Sequence, residues 1–192
     1  MSDRIAMLAE VARAATWEIT RLAGRDALRV RTREGAQTSF LTPAEKDELE
    51  ALLRSGPPTI VHAGLPKLIW SAARRGFVGA AEEIGELVIE EVPQRPEAAV
   101  LSGLAADFAR IRARQAEIVG AAAVRLADTA RRWAEGPAPT VDEIAARLRW
   151  ATLILTPTGA RAWLSDGGIF AGHSIEVAFD QDGAVVDAQL AG

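Results

Sequence analysis

Residues 151–192 read ATLILTPTGARAWLSDGGIFAGHSIEVAFDQDGAVVDAQLAG, and this stretch decides the fold. Four runs of strand-compatible residues, 151–156, 160–165, 170–179 and 184–190, are separated by Pro157-Thr158-Gly159, Asp166-Gly167-Gly168 and Gln181-Asp182-Gly183. Glycine supplies left-handed backbone, proline a fixed φ and aspartate a cap for its own turn, and connections this short set neighbouring strands antiparallel. The segment predicts a four-stranded antiparallel meander.

Outward from it the signals become helical. Thr140-Val141-Asp142-Glu143 is a capping box for a short helix to Arg149, set off by the break at residues 136–139. Leu101, Leu104, Phe108, Ile111, Ile118, Ala122 and Trp133 keep to one helical face, as one bent helix or as two joined near residues 112–114, with an antiparallel pair favoured. Residues 87–92 read as a strand closed by Pro93 and Pro96. Residues 59–62 read as a strand and 66–75 as a helix ended by Gly76. Thr42-Pro43-Ala44-Glu45 is a second capping box, with proline at the first helical position, for a helix through Leu49, Leu52 and Leu53 to Gly56. Trp17, Ile19, Leu28 and Val30 fit two short strands turning at Gly24-Arg25-Asp26, or else a longer first helix. Residues 3–15 read as a helix, with Ile5, Leu8 and Ala12 on one stripe and Ser2 as cap. The expected class is α+β: the four-stranded meander packed with helices, plus a smaller N-terminal α/β region. The domains expected are a mixed subdomain over residues 1–80 and an α+β domain over 84–192.

Composition narrows the chemistry. The 192 residues are 49% hydrophobic and 25% charged, as in an ordinary folded protein. Without cysteine there is no disulfide, thiolate nucleophile or thiolate metal site. No apolar run reaches the length of a membrane helix, and the N-terminus lacks a signal-peptide pattern, so no membrane association and a cytoplasmic location are expected. The formal charge is −4, and the positive charges are scattered, which argues against a nucleic-acid partner. The paired basics Arg74-Arg75 and Arg131-Arg132 are placed at helix ends, where cations complement the dipole.

The site residues come from the third run. Residues two apart share a strand face, so Ala171, His173, Ile175, Val177 and Phe179 form one face and Gly172, Ser174, Glu176 and Ala178 the other. His173 on the apolar face predicts a buried, neutral, hydrogen-bonded ring; the competing reading is a catalytic or ligand-binding histidine partnered by Asp166 or Glu176. Ser174 points the other way, and the chain has no Gly-x-Ser-x-Gly elbow. Gly172 predicts a group packed closely on the strand, such as Trp163, or a bend. Asp166 and Asp182 fit turn capping, the doublets Glu82-Glu83 and Glu90-Glu91 fit solvated faces, and Trp150 and Trp163 fit core or interface anchors. His62 and His173 are too far apart to suggest a metal, and no cofactor is implied.

Phe170, Gly172, His173 and Ile175, with the closing Gly192, resemble the C-terminal Phe-x-Gly-His-x-Ile signature of uncharacterised bacterial domain-of-unknown-function families, over about residues 84–192. Ala171 stands where that pattern commonly has tryptophan. The resemblance implies a non-enzymatic protein-interaction module of immunity type, one that neutralises a toxin. The alternative function is an enzyme or small-ligand-binding protein with its site around His173. Another protein is the expected partner, and self-association stays open.

Overall fold

The computed structural model describes residues 3–13, 15–32, 35–134, 136–180 and 182–191. Ser2, Gln181 and Gly192, read above as a cap, a turn residue and a signature glycine, lie outside them. The chain divides into one unit of residues 1–59 and 69–75 and a second of 60–68 and 76–192.

The first unit holds α1 (Asp3–Arg13), an antiparallel sheet of β1 (Thr16–Leu22), β2 (Arg25–Thr32) and β3 (Gly35–Leu41), and α2 (Pro43–Ser55). The alternation at Trp17 to Val30 belongs to strands, not to a longer first helix. Leu22 pairs with Arg25 across Ala23 and Gly24, both at positive φ, the geometry of a two-residue hairpin turn. Leu28 and Val30 face inward onto Ile5, Ala9, Ala12, Leu41 and Leu49. The capping box forms as its sequence dictates: Glu45 N donates to Thr42 Oγ1, and Thr42 N donates to Glu45 Oε2.

The eight-stranded sheet has the order β11-β10-β9-β8-β7-β6-β5-β4, from β4 (Thr59–Ile60), β5 (Leu68–Ser71), β6 (Gly76–Ala81), β7 (Gly85–Ile89), β8 (Arg149–Thr156), β9 (Gly159–Ser165), β10 (Ser174–Phe179) and β11 (Val185–Ala191). Its last four strands are the antiparallel meander. The expectation of a four-stranded, purely antiparallel sheet is corrected in two respects: the sheet has eight strands, and it is mixed, because β7 and β8 pair in parallel. The parallel register needs a long crossover, and α3 (Ala98–Ala113), α4 (Gln115–Trp133) and α5 (Val141–Arg147) supply it.

Three local expectations are also corrected. Residues 66–75 are not a helix: Leu68–Ser71 is β5, and Arg75 at φ 50 turns the chain into β6. Gly76 is a strand residue whose missing Cβ lets the Ile89 carbonyl approach to within 2.5 Å of where that carbon would stand. Arg74 and Arg75 are therefore turn residues, whereas Arg131 and Arg132 do close α4. The helices α3 and α4 follow one another through the single non-helical residue Arg114 (φ −109, ψ 14) instead of folding back as an antiparallel pair, which would take a loop of several residues. Arg114 then grips Glu117 with two nitrogens and donates to the carbonyls of Asp182 and Gly183, tying the helix break to the turn after β10.

Candidate functional site

Residues 166–173, expected in part as strand, form a loop, and β10 starts only at Ser174. Gly167, Gly168, Ala171 and Gly172 all have positive φ, and these turns aim backbone amides at one carboxylate. Asp166, 3% exposed, accepts from Gly168 N on Oδ1 (2.9 Å) and from Phe170 N and Gly172 N on Oδ2 (2.6 and 3.0 Å). Burial pushes the Asp166 carboxyl up, but the amides of Gly168, Phe170 and Gly172 together outweigh it and hold the group below its ordinary value.

Phe170 is fully buried, edge-on to Trp133 with centroids 6.0 Å apart, and the His173 ring meets the same indole edge-on at 5.3 Å. His173 thus leaves the strand face assigned to it and is half-buried, because the loop's left-handed steps break the two-residue alternation ahead of Ser174. Gly172 owes its place to φ 86; open space surrounds the position of its Cβ, so Trp163 does not pack there. From Ser174 on the alternation holds: Ile175 and Val177 are buried, whereas Ser174 is exposed. Glu176 lies on the opposite face, where Gln189 Nε2 approaches it at 3.4 Å. In the following turn Asp180, not Asp182, is the cap, accepting from Asp182 N and Ala184 N. Among the described residues no three His, Asp or Glu side chains converge as metal ligands.

The second feature is a sheet face. Leu153, Leu155, Ala162, Leu164, Ile175, Val177 and Ala188 share one side of β8–β11 and are buried. The registers place Glu86, Thr152, Trp163, Glu176 and Gln189 in one row on the opposite side, across β7 to β11, and Arg161, Ala178 and Asp187 in the next. Trp163 and Glu176 are half-buried, and Gln189, Asp187 and Arg161 are exposed. Beside this row a cleft of about 210 Å³ lies between Ile154, Arg161 and Glu91. Arg161 also holds Glu90 at 2.9 Å. Single-residue motifs overlook this face; the polar phase of the strand alternation carries it. A cleft of about 300 Å³ opens where Arg110 of α3, already paired with Asp107 at 2.6 Å, meets the two meander turns at Thr158 and Asp180.

His62 sits apart from His173. Its Nε2 is 3.4 Å from Ser102 Oγ, but that hydroxyl donates to Ala98 O at 2.9 Å, and its Nδ1 is buried without a hydrogen-bond partner.

Among the described residues no helix is long and apolar enough to cross a membrane. The family model described as an uncharacterized protein conserved in bacteria, DUF2262, matches residues 81–190, a span that contains both the loop and the open face. No curated protein and no solved structure matches the chain.

Proposed function

We propose that this chain, which belongs to the bacterial DUF2262 family, is a protein-interaction module whose open sheet face binds a basic protein. The observation that carries the reading is the row Glu86–Thr152–Trp163–Glu176–Gln189. An indole stands at its middle, flanked by polar groups that keep it hydrated until a partner covers it, the composition of a binding anchor with a polar rim. Glu86, Glu90, Glu176 and Asp187 outnumber Arg149 and Arg161 on this face, and the second unit as a whole carries 17 Asp and Glu against 11 Lys and Arg, a net −6. Such a surface draws basic partners and repels acidic ones. Immunity-type action is the specific form proposed: the acidic sheet covers the basic working surface of a toxin.

The competing reading, a catalytic or small-ligand site around His173, draws on the half-buried ring beside Trp133, itself 45% exposed. One experiment separates the two. A photo-crosslinking residue at Gln189 in the full chain, expressed in its native host, is expected to yield an adduct with a protein of basic composition. Trp163→Ala and Glu176→Lys should each abolish that adduct, and His173→Gln should leave it intact. An adduct that survives both face variants, one formed with an acidic protein, or one lost with His173→Gln overturns the proposal.

A further inference from the structure

We propose that the outer face of the three-stranded sheet in the first unit binds single-stranded nucleic acid. Chain-wide charge conceals this face. The −4 of the whole divides into −6 on the second unit and +2 on the first, which holds 11 Lys and Arg against 9 Asp and Glu. Within the first unit the cations are concentrated by the pleat. In Arg25–Thr32 the even positions Leu28 and Val30 enter the core, so Arg25, Arg29 and Arg31 emerge together on the other face of the central strand. Side chains two apart on a strand stand about 6.7 Å from one another, so Arg29 and Arg31 form a linear pair of donors and Arg25 continues the line. Among the described residues one acid opposes them, Glu18, 3.2 Å from Arg29.

An aromatic ring completes the face. Phe40 on β3 is 40% exposed, and the Arg25 guanidinium lies 4.7 Å above its ring. Beside it Thr16, Glu18, Arg29 and Arg31 line a cleft of about 220 Å³, whose edge is formed by Trp17, a residue that stands opposite Val30 and so belongs to the other phase of β1. A line of arginines for the backbone beside aromatic rings for the bases is how proteins hold unpaired strands, in which every base offers a stacking surface. A duplex keeps its bases stacked inside and offers Phe40 nothing. An acidic peptide matches the arginines and leaves the ring without a planar partner. Single-stranded nucleic acid uses both the arginines and the ring.

The test uses the full chain and fluorescein-labelled 12-nucleotide oligo(dT) and oligo(U), with a duplex of equal length and poly-glutamate as competitors. Anisotropy should show binding of at least one single strand at low salt. Log affinity should fall against log salt with a slope between about −1.4 and −2.1, for two to three arginine–phosphate contacts. Arg31→Glu should abolish binding, Phe40→Ala should weaken it about tenfold, and Glu18→Gln, which frees Arg29, should tighten it. All three positions are exposed, and unchanged circular dichroism confirms folding. The oligo(dT) and oligo(U) arms tell DNA from RNA. The proposal fails if neither single strand binds, if duplex or poly-glutamate competes as well as the single strand, or if Arg31→Glu binds like the parent.

Discussion

Replacing Asp166 with asparagine changes one atom's chemistry and leaves the shape almost untouched, so its cost measures the amide cage around the carboxylate. Three backbone N–H groups donate to that carboxylate, two of them to Oδ2. Hydrogen bonds to a charged acceptor contribute about 1.5–3 kcal/mol each and those to a neutral one about 0.5–1.5. With the asparagine oxygen at the Oδ2 position, Phe170 N and Gly172 N each lose about 1 kcal/mol, and the new amide group turns donor against donor toward Gly168 N. Gly168 is exposed, so water can take over that third bond. The expected loss is about 2–3 kcal/mol, read by urea unfolding at pH 7 with an unchanged slope. The pH dependence follows from the sign of the shift. Because the folded carboxyl is held below its ordinary value, its contribution is fully present above the unfolded value of about 3.9 and is lost as pH falls through the folded one. The difference between parent and Asp166→Asn should therefore be flat from pH 8 to 5 and shrink below about pH 4. A difference under about 0.5 kcal/mol at pH 7, or one that grows on acidification, refutes the cage.

The same loop separates two glycines. Gly167→Ala should cost clearly more than Gly172→Ala in thermal unfolding, because a Cβ at 167 meets the Arg147 carbonyl at 2.5 Å, whereas at 172 only the φ of 86 resists, at about 1 kcal/mol; equal costs would contradict the geometry. Trp133→Ala and His173→Ala, combined in a double-mutant cycle, should show a coupling of about 0.5–1.5 kcal/mol from the edge-on contact, and additive losses would remove that contact as a source of order. Thr140→Ala should cost about 1 kcal/mol by calorimetry, because its hydroxyl accepts from Glu143 N at the start of a seven-residue helix, and a neutral result would mean that packing of Ile144 alone holds α5.

What was legible in the chain was what is decided locally. Both capping boxes lie within four residues, and each forms the two reciprocal bonds that its residue types require. The meander turns are equally local, and so is the pleat that buries Ile175 and Val177. Pairing across distance was not legible: the run at 87–89 looks the same whether its neighbour is β6 alone or also β8, and the parallel register with β8 arises only after three helices have intervened. Residues 66–75 misled because Leu68, Ile69 and Trp70 are apolar enough for either a helix or a strand, and only the backbone contact at Gly76 decides. In Gly35–Leu41 Leu41 is the single buried residue, too little for an alternation signal. The candidate surfaces were half legible. Leu28 and Val30 marked the inward phase of β2, and Arg25, Arg29 and Arg31 were already the outward phase, hidden by averaging charge over the chain.

The Phe170-Ala171-Gly172-His173 step shows why residue types alone gave His173 the wrong surroundings. A strand running through these residues would send His173 inward with Ile175. Ala171 at φ 55 is the obstacle: left-handed alanine is costly by about 1 kcal/mol, and no local signal announces it. The cost is met by the carboxylate of Asp166, which accepts from the amides on both sides, Phe170 N and Gly172 N, and so fixes the alanine between them. Phe170, buried against the same indole that meets His173, anchors the other end. A buried carboxylate suits this duty better than an amide because it only accepts, and the filled oxygens compensate for its burial. The position of the His173 ring is therefore set by the aspartate seven residues earlier, through backbone amides, and any role for that ring depends on Asp166 holding the loop.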